Sequence, residues 1–284
     1  MTHLSLSLTA LVILAYLGFP TYAYRFLILG GDGSGSHYYV ATAIGKELAY
    51  RGNDVTVLVS DMYADSVSNR DDSDVFNFLI YKSLVTEKQY QNLITKIVET
   101  GMFGDMASMI KVSALAETLT HKQCKSIFVD YPIIDRLHQE KYDLIIGDVW
   151  YFCVGLVAQL LDTPFALLTP TAVSLSIQSQ MNVCPTNPAY IPDLVSGFRV
   201  SNTLILSLNS VANRRMLHRY DQLKVDLNIK PEMSTYEALS EAELFFVNTN
   251  FVLDFPRPLM PHVVPVGGLT TKPSLPLKEV NIGD

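Results

Sequence analysis

The chain has 284 residues, of which 49% are hydrophobic and 17% charged. Its 13 Phe, 15 Tyr and 1 Trp exclude a disordered chain, which would be poor in aromatics and rich in charge. A net charge of −7 argues against a general nucleic-acid binder, which needs basic surface to neutralise phosphates. The length admits one large domain or two small ones. Three cysteines, Cys124, Cys153 and Cys184, are too few for a disulfide scaffold and leave one thiol unpaired.

Residues 1–23 read as a signal peptide. The apolar run Leu4–Leu17 is shorter than the roughly 20 residues that span a bilayer, and Thr21 and Ala23 put small residues at −3 and −1 of a cleavage site. The alternatives are an uncleaved anchor or a buried strand. Arg25–Leu29 is an apolar run entering a glycine loop, as a buried parallel strand does. A helix over 36–51 follows, stopped by Gly52, and Asp54–Val59 is a second strand. Strand, loop, helix and strand make a right-handed βαβ unit.

Residues 60–85 are polar, with Arg70–Asp74 an exposed loop. A long helical pattern over 86–126 is broken near Gly101 and Gly104, and Ile133, Ile134 and Leu137 mark another helix. Tyr142–Ile146 is a third core strand, 155–161 a helix and Pro164–Leu168 a fourth strand. Pro185, Pro188 and Pro192 make a loop. Residues 200–227 are helical, and Ala242–Asn248 is a late strand. The alternation predicts an α/β, doubly wound, mainly parallel sheet with helices on both faces. Such sheets bind ligands at the carboxyl ends of their strands, here the loops 30–37, 147–153 and 169–180.

The first loop, Gly30-Gly-Asp-Gly-Ser-Gly-Ser-His37, fits neither G-x-G-x-x-G nor the P-loop pattern, so a nucleotide-dependent oxidoreductase is disfavoured. His37 stands where loop meets helix. A helix N-terminus disfavours the charged ring and so helps keep the imidazole able to accept a proton. A structural or N-capping role is the alternative. Asp148 follows the third strand and is placed to hold a His ring and stabilise its imidazolium, the alternatives being a solvated loop carboxylate or a helix N-cap. Trp150, Tyr151 and Phe152 beside it suit an aromatic pocket wall or the core. Cys153 lies in an apolar context and reads as a buried thiol. No metal-ligand spacing is present.

Several segments resemble the N-terminal half of an animal UDP-glycosyltransferase of the UDP-glucuronosyltransferase type. They are Gly35-Ser-His-Tyr38, Leu48–Leu58, Tyr142-Asp-Leu-Ile-Ile-Gly-Asp148, Asn187–Pro192, Ala242–Asn250 and, most specifically, Asp254–Pro261 with Val266–Pro273. The resemblance implies a GT-B-type N-terminal domain over 24–262 that binds a small lipophilic acceptor, with 263–284 beginning an interdomain linker. It implies that His37 is the general base and Asp148 its support, with Ser36, Tyr38, Phe103, Trp150 and Tyr151 as candidate acceptor contacts. It also implies that this half binds no cofactor or metal. The co-substrate, a UDP-sugar, would be held by a C-terminal domain whose motifs, like a membrane anchor, do not occur before Asp284. The expected location is the endoplasmic reticulum lumen or secretory pathway, and the expected partners include homo- or hetero-oligomers with family members. The competing reading is a non-catalytic lipophile-binding or regulatory protein that pairs with longer enzymes.

Overall fold

A computed structural model describes residues 23–31, 33–70, 73–171, 215–252 and 258–271. Its strands are β1 (Arg25–Leu29), β2 (Asp54–Ser60), β3 (Asn77–Tyr81), β4 (Leu144–Asp148), β5 (Phe165–Thr169), β6 (Leu244–Val247) and β7 (Val263–Pro265). They form one seven-stranded sheet in the order β3-β2-β1-β4-β5-β6-β7, with every pairing parallel. The helices are α1 (Gly35–Tyr50), α2 (Ala64–Ser68), α3 (Glu87–Phe103), α4 (Met106–Val129), α5 (Tyr131–Glu140), α6 (Cys153–Leu161), α7 (215–227) and α8 (Thr235–Ser240).

The sheet is doubly wound because its strands are apolar on both sides. Leu27 and Leu29 of β1 point, with Leu58, Ile145 and Leu167, into a cluster completed by Ile127, Leu137, Leu156 and Leu223 of α4, α5, α6 and α7. Ile28 points the other way, with Val55, Val57 and Val59, onto Val40 and Ala41 of α1. Side chains alternate along a strand, so one register feeds two cores. Each fully buried Leu or Val contributes about 1.5–3 kcal/mol of transfer free energy.

The first βαβ unit forms where its glycines predict, with α1 ending one residue before Arg51 and Gly52 at φ 84°. Of the two glycines expected to break the long helical pattern, only Gly104 does so. Gly101 stays within α3, while Asp105 accepts a bond from Ser108 N at 2.7 Å and starts α4. The third expected strand lies two residues later than its apolar run suggests, so Asp148 is its last residue. The polar stretch 60–85 holds α2 and β3, an edge strand in which exposed Ile80 stands between buried Leu79 and Tyr81. Residues 263–265, expected to begin a linker, form the outermost strand on β6.

Cys153 is not a thiol. It is joined to Cys124 of α4 across a Cα–Cα distance of 5.3 Å, and both residues are buried. The expected signal peptide (but for Ala23), the proline loop at 185–192, the first part of the helix at 200–227, Cys184 and residues 272–284 lie outside the described residues.

Candidate active site

The strand order reverses between β1 and β4, which lie side by side with Leu29 paired to Gly147. At such a switch point the connections leave in opposite directions and open a crevice at the carboxyl ends. The two ends carry His37 and Asp148. β1 runs through the glycine loop into α1, whose third residue is His37. The loop is tight at Gly33, which has φ 118° and whose Cβ, if present, would lie 2.5 Å from Cγ1 of Val59. A side chain is excluded there by both backbone and space.

His37 Nδ1 lies 2.7 Å from Asp148 Oδ2. The other carboxylate oxygen, Oδ1, accepts from Trp150 N, also at 2.7 Å, so the turn after β4 fixes the acid before it meets the ring. The Asp148 side chain is 2% exposed and that of His37 42%. A carboxylate only accepts, so a neutral ring places its proton on Nδ1 and leaves the Nε2 lone pair for another group. Burial acts to lower the His37 pKa, but the hydrogen bond and the charge of Asp148 outweigh it, and the net shift is upward from 6.5.

The candidate acceptor contacts are distributed unevenly. Ser36 and Trp150 are exposed beside the pair, Trp150 at 46%. Tyr151 is half-buried, with its hydroxyl 3.5 Å from that of Tyr81. Tyr38 is 0% exposed and packs in the α1 core, so its side chain does not present a contact surface. Phe152 is likewise core, edge-on to Tyr220. Phe103 is 84% exposed at the far end of α3. Tyr90 near the start of that helix packs edge-on against Tyr63, just past β2. Phe103 is therefore about 20 Å further along the helix axis than Tyr90.

Two features of the site escape the sequence reading. Arg70, placed there in an exposed loop, stacks its guanidinium 4.4 Å over the Tyr38 ring and donates to Gly33 O at 2.8 Å. The disulfide anchors the first residue of α6, five residues after Asp148, to α4. Neither has a spacing motif that would signal it. A separate cleft of about 520 Å³, lined by Thr249, Asn250, Val252, Val266 and Gly267, lies at the carboxyl ends of β6 and β7 on the same edge of the sheet. Among the described residues no group of three or more His, Cys, Asp or Glu side chains is placed to hold a metal ion.

This architecture, with a His–Asp pair at the switch point of a doubly wound sheet, is that of a GT-B-type N-terminal domain. Residues 27–281 match the family model described as UDP-glucoronosyl and UDP-glucosyl transferase, and the chain belongs to that family. It is 26% identical over 259 residues to human UDP-glucuronosyltransferase 2B15, covering 85% of this chain and 48% of that protein. It is also 26% identical over 253 residues to human 2-hydroxyacylsphingosine 1-beta-galactosyltransferase, covering 86% and 45%. Among solved structures it resembles the glycosyltransferase SnogD from Streptomyces nogalater in fold, with a TM-score of 0.50, 11% identity and coverage of 91% of this chain and 55% of that one. The chain thus spans about half the length of the curated relatives it matches.

Proposed function

We propose that this chain supplies the acceptor side of a UDP-sugar glycosyltransferase and that His37 is its general base. The observation that carries the reading is the 2.7 Å contact between His37 Nδ1 and Asp148 Oδ2 at the switch point, in a chain of this family. In the proposed reaction Nε2 of His37 takes the proton from the hydroxyl of a small lipophilic acceptor. The acceptor oxygen bonds to the anomeric carbon of the sugar as the bond to the UDP oxygen breaks, and UDP leaves with the electron pair. Asp148 holds the ring with Nε2 free and stabilises the imidazolium. A positioned base supplies about 10²–10⁴-fold of rate. Ser36, Trp150 and Tyr151 line the acceptor's approach in this reading.

The UDP-sugar is the co-substrate, held by a donor-side domain of the kind expected after residue 284, and this half needs no metal or other cofactor. Relatives that share this half are named for glucuronosyl and for galactosyl transfer, which supports a sugar choice made on the donor side. Association with further copies or with family members belongs to the same proposal. So does targeting of the chain by residues 1–23 to the endoplasmic reticulum or secretory pathway. The Cys124–Cys153 disulfide supports that location, because such bonds persist in oxidising compartments. No helix among the described residues is long and apolar enough to cross a membrane.

The test joins residues 24–284 to the donor-side half of a curated relative and measures transfer from a UDP-sugar to a phenol. Transfer that His37→Ala abolishes supports the assignment. Transfer unchanged by His37→Ala defeats it.

A further inference from the structure

We propose that Arg70 is a positioning residue for His37, clamping the glycine loop on both sides of it. The proposal rests on the reading of His37 as the base. It starts from what the loop lacks. Its glycines leave the backbone conformationally free, so its shape has to be imposed from outside. The usual local restraints at a helix start are missing: Ser34, in the N-cap position, makes no side-chain cap bond, and the first turn of α1 has no acidic residue.

Arg70 provides the restraint from another element, just past α2. Its Nη2 donates to Gly33 O at 2.8 Å and reaches Ser66 Oγ at 3.4 Å. The same guanidinium lies 4.4 Å from the centre of the Tyr38 ring and 5.3 Å from that of Tyr39. One planar group thus grips the residue four before His37 and the two residues that follow it. Its hydrogen bond fixes the loop, and its stacking fixes the first turn of the helix. His37 lies between the two grips, and its Nδ1 must be held to within a fraction of an ångström of Asp148 Oδ2. An arginine suits this task and a lysine does not, because only the planar fork stacks on a ring and donates at its edge at once.

The test is a histidine-resolved NMR titration of the 284-residue chain, comparing wild type with Arg70→Met and Arg70→Lys, with thermal unfolding to confirm that each variant is folded. The bond to Asp148 raises the His37 pKa, so slackening the clamp shifts it downward. Removing a cation acts in the opposite sense, so a downward shift in Arg70→Met reports geometry and not lost charge. Arg70→Lys keeps the charge but not the stacked fork, so with no lost cation to offset it the His37 shift is expected to be downward by at least as much. It decides the matter if Arg70→Met does not fold. A His37 titration unchanged in the folded variants overturns the proposal. The readout needs no turnover, so it can fail while the glycosyltransferase reading stands. If His37→Ala leaves transfer intact, that reading falls while the clamp remains measurable.

Discussion

His37 and Asp148 are 111 residues apart in the chain and 2.7 Å apart in space. Asp148 ends β4 and His37 follows β1 through the glycine loop, so the pair exists only because β4 is laid beside β1. Its electrostatics follow from an almost fully buried carboxylate that already spends one oxygen on Trp150 N.

Asp148→Asn is expected to lower the His37 pKa. Burial, the largest influence, then acts without the opposing charge and leaves the ring below its ordinary 6.5. In the wild type the sign is the reverse. A folded-state pKa above the unfolded value contributes stability that is fully present below about pH 6.5 and is lost as pH rises through the folded value. The melting-temperature gap between wild type and Asp148→Asn should therefore narrow from pH 6 to pH 8. A gap that widens over that range contradicts this account.

Removing the disulfide by Cys124→Ser with Cys153→Ser is expected to cost about 3–4 kcal/mol. Its sequence separation of 29 residues lies between loop lengths for which chain-entropy arguments give about 3 and about 5 kcal/mol. Urea unfolding measures the loss directly. Reductant should destabilise the wild type and leave the double variant unchanged.

Gly147 is expected to tolerate no side chain. A Cβ there would lie 2.2 Å from Cγ2 of Val154, between β4 and α6. Gly147→Ala should cost about 1–3 kcal/mol as overpacking. By moving the strand end it should also weaken the His37–Asp148 bond. Val154→Ala removes the nearest methyl, so the double variant should recover part of the loss in urea unfolding.

The sequence makes the central sheet and the pair legible for the same reason. Gly30–Gly35 and Gly52 punctuate strongly apolar segments, and a residue just past a buried parallel strand has only one end of the sheet to occupy. β3 is less legible because an edge strand buries one side: Leu79 and Tyr81 are core, but Ile80 is exposed and charged residues precede it. Cys153 looks like any buried thiol in an apolar helix, since its partner is set by how α4 crosses α6 and not by spacing. Phe103 and Tyr38 show the limit for aromatics. Composition marks them as apolar, but only packing puts one at the tip of a helix and the other beneath Arg70. Lys224, a charged residue fully enclosed by the fold with its Nζ donating to Met233 O, is equally beyond pattern reading.

Trp150 is the only tryptophan of the chain and stands two residues after Asp148. It therefore reports on the proposed acceptor site without a label. Titrating the chain with a lipophilic phenol should change its emission saturably. Trp150→Phe removes the signal, and an emission indifferent to phenols argues against acceptor binding at this loop.

The most direct measurement is sugar transfer to that phenol by residues 24–284 joined to a relative's donor-side half, with and without His37→Ala. The rate is expected to fall by about 10²-fold or more while phenol binding, read at Trp150, is kept. A His37→Ala protein that transfers sugar at the wild-type rate would contradict the assignment of His37 as the base.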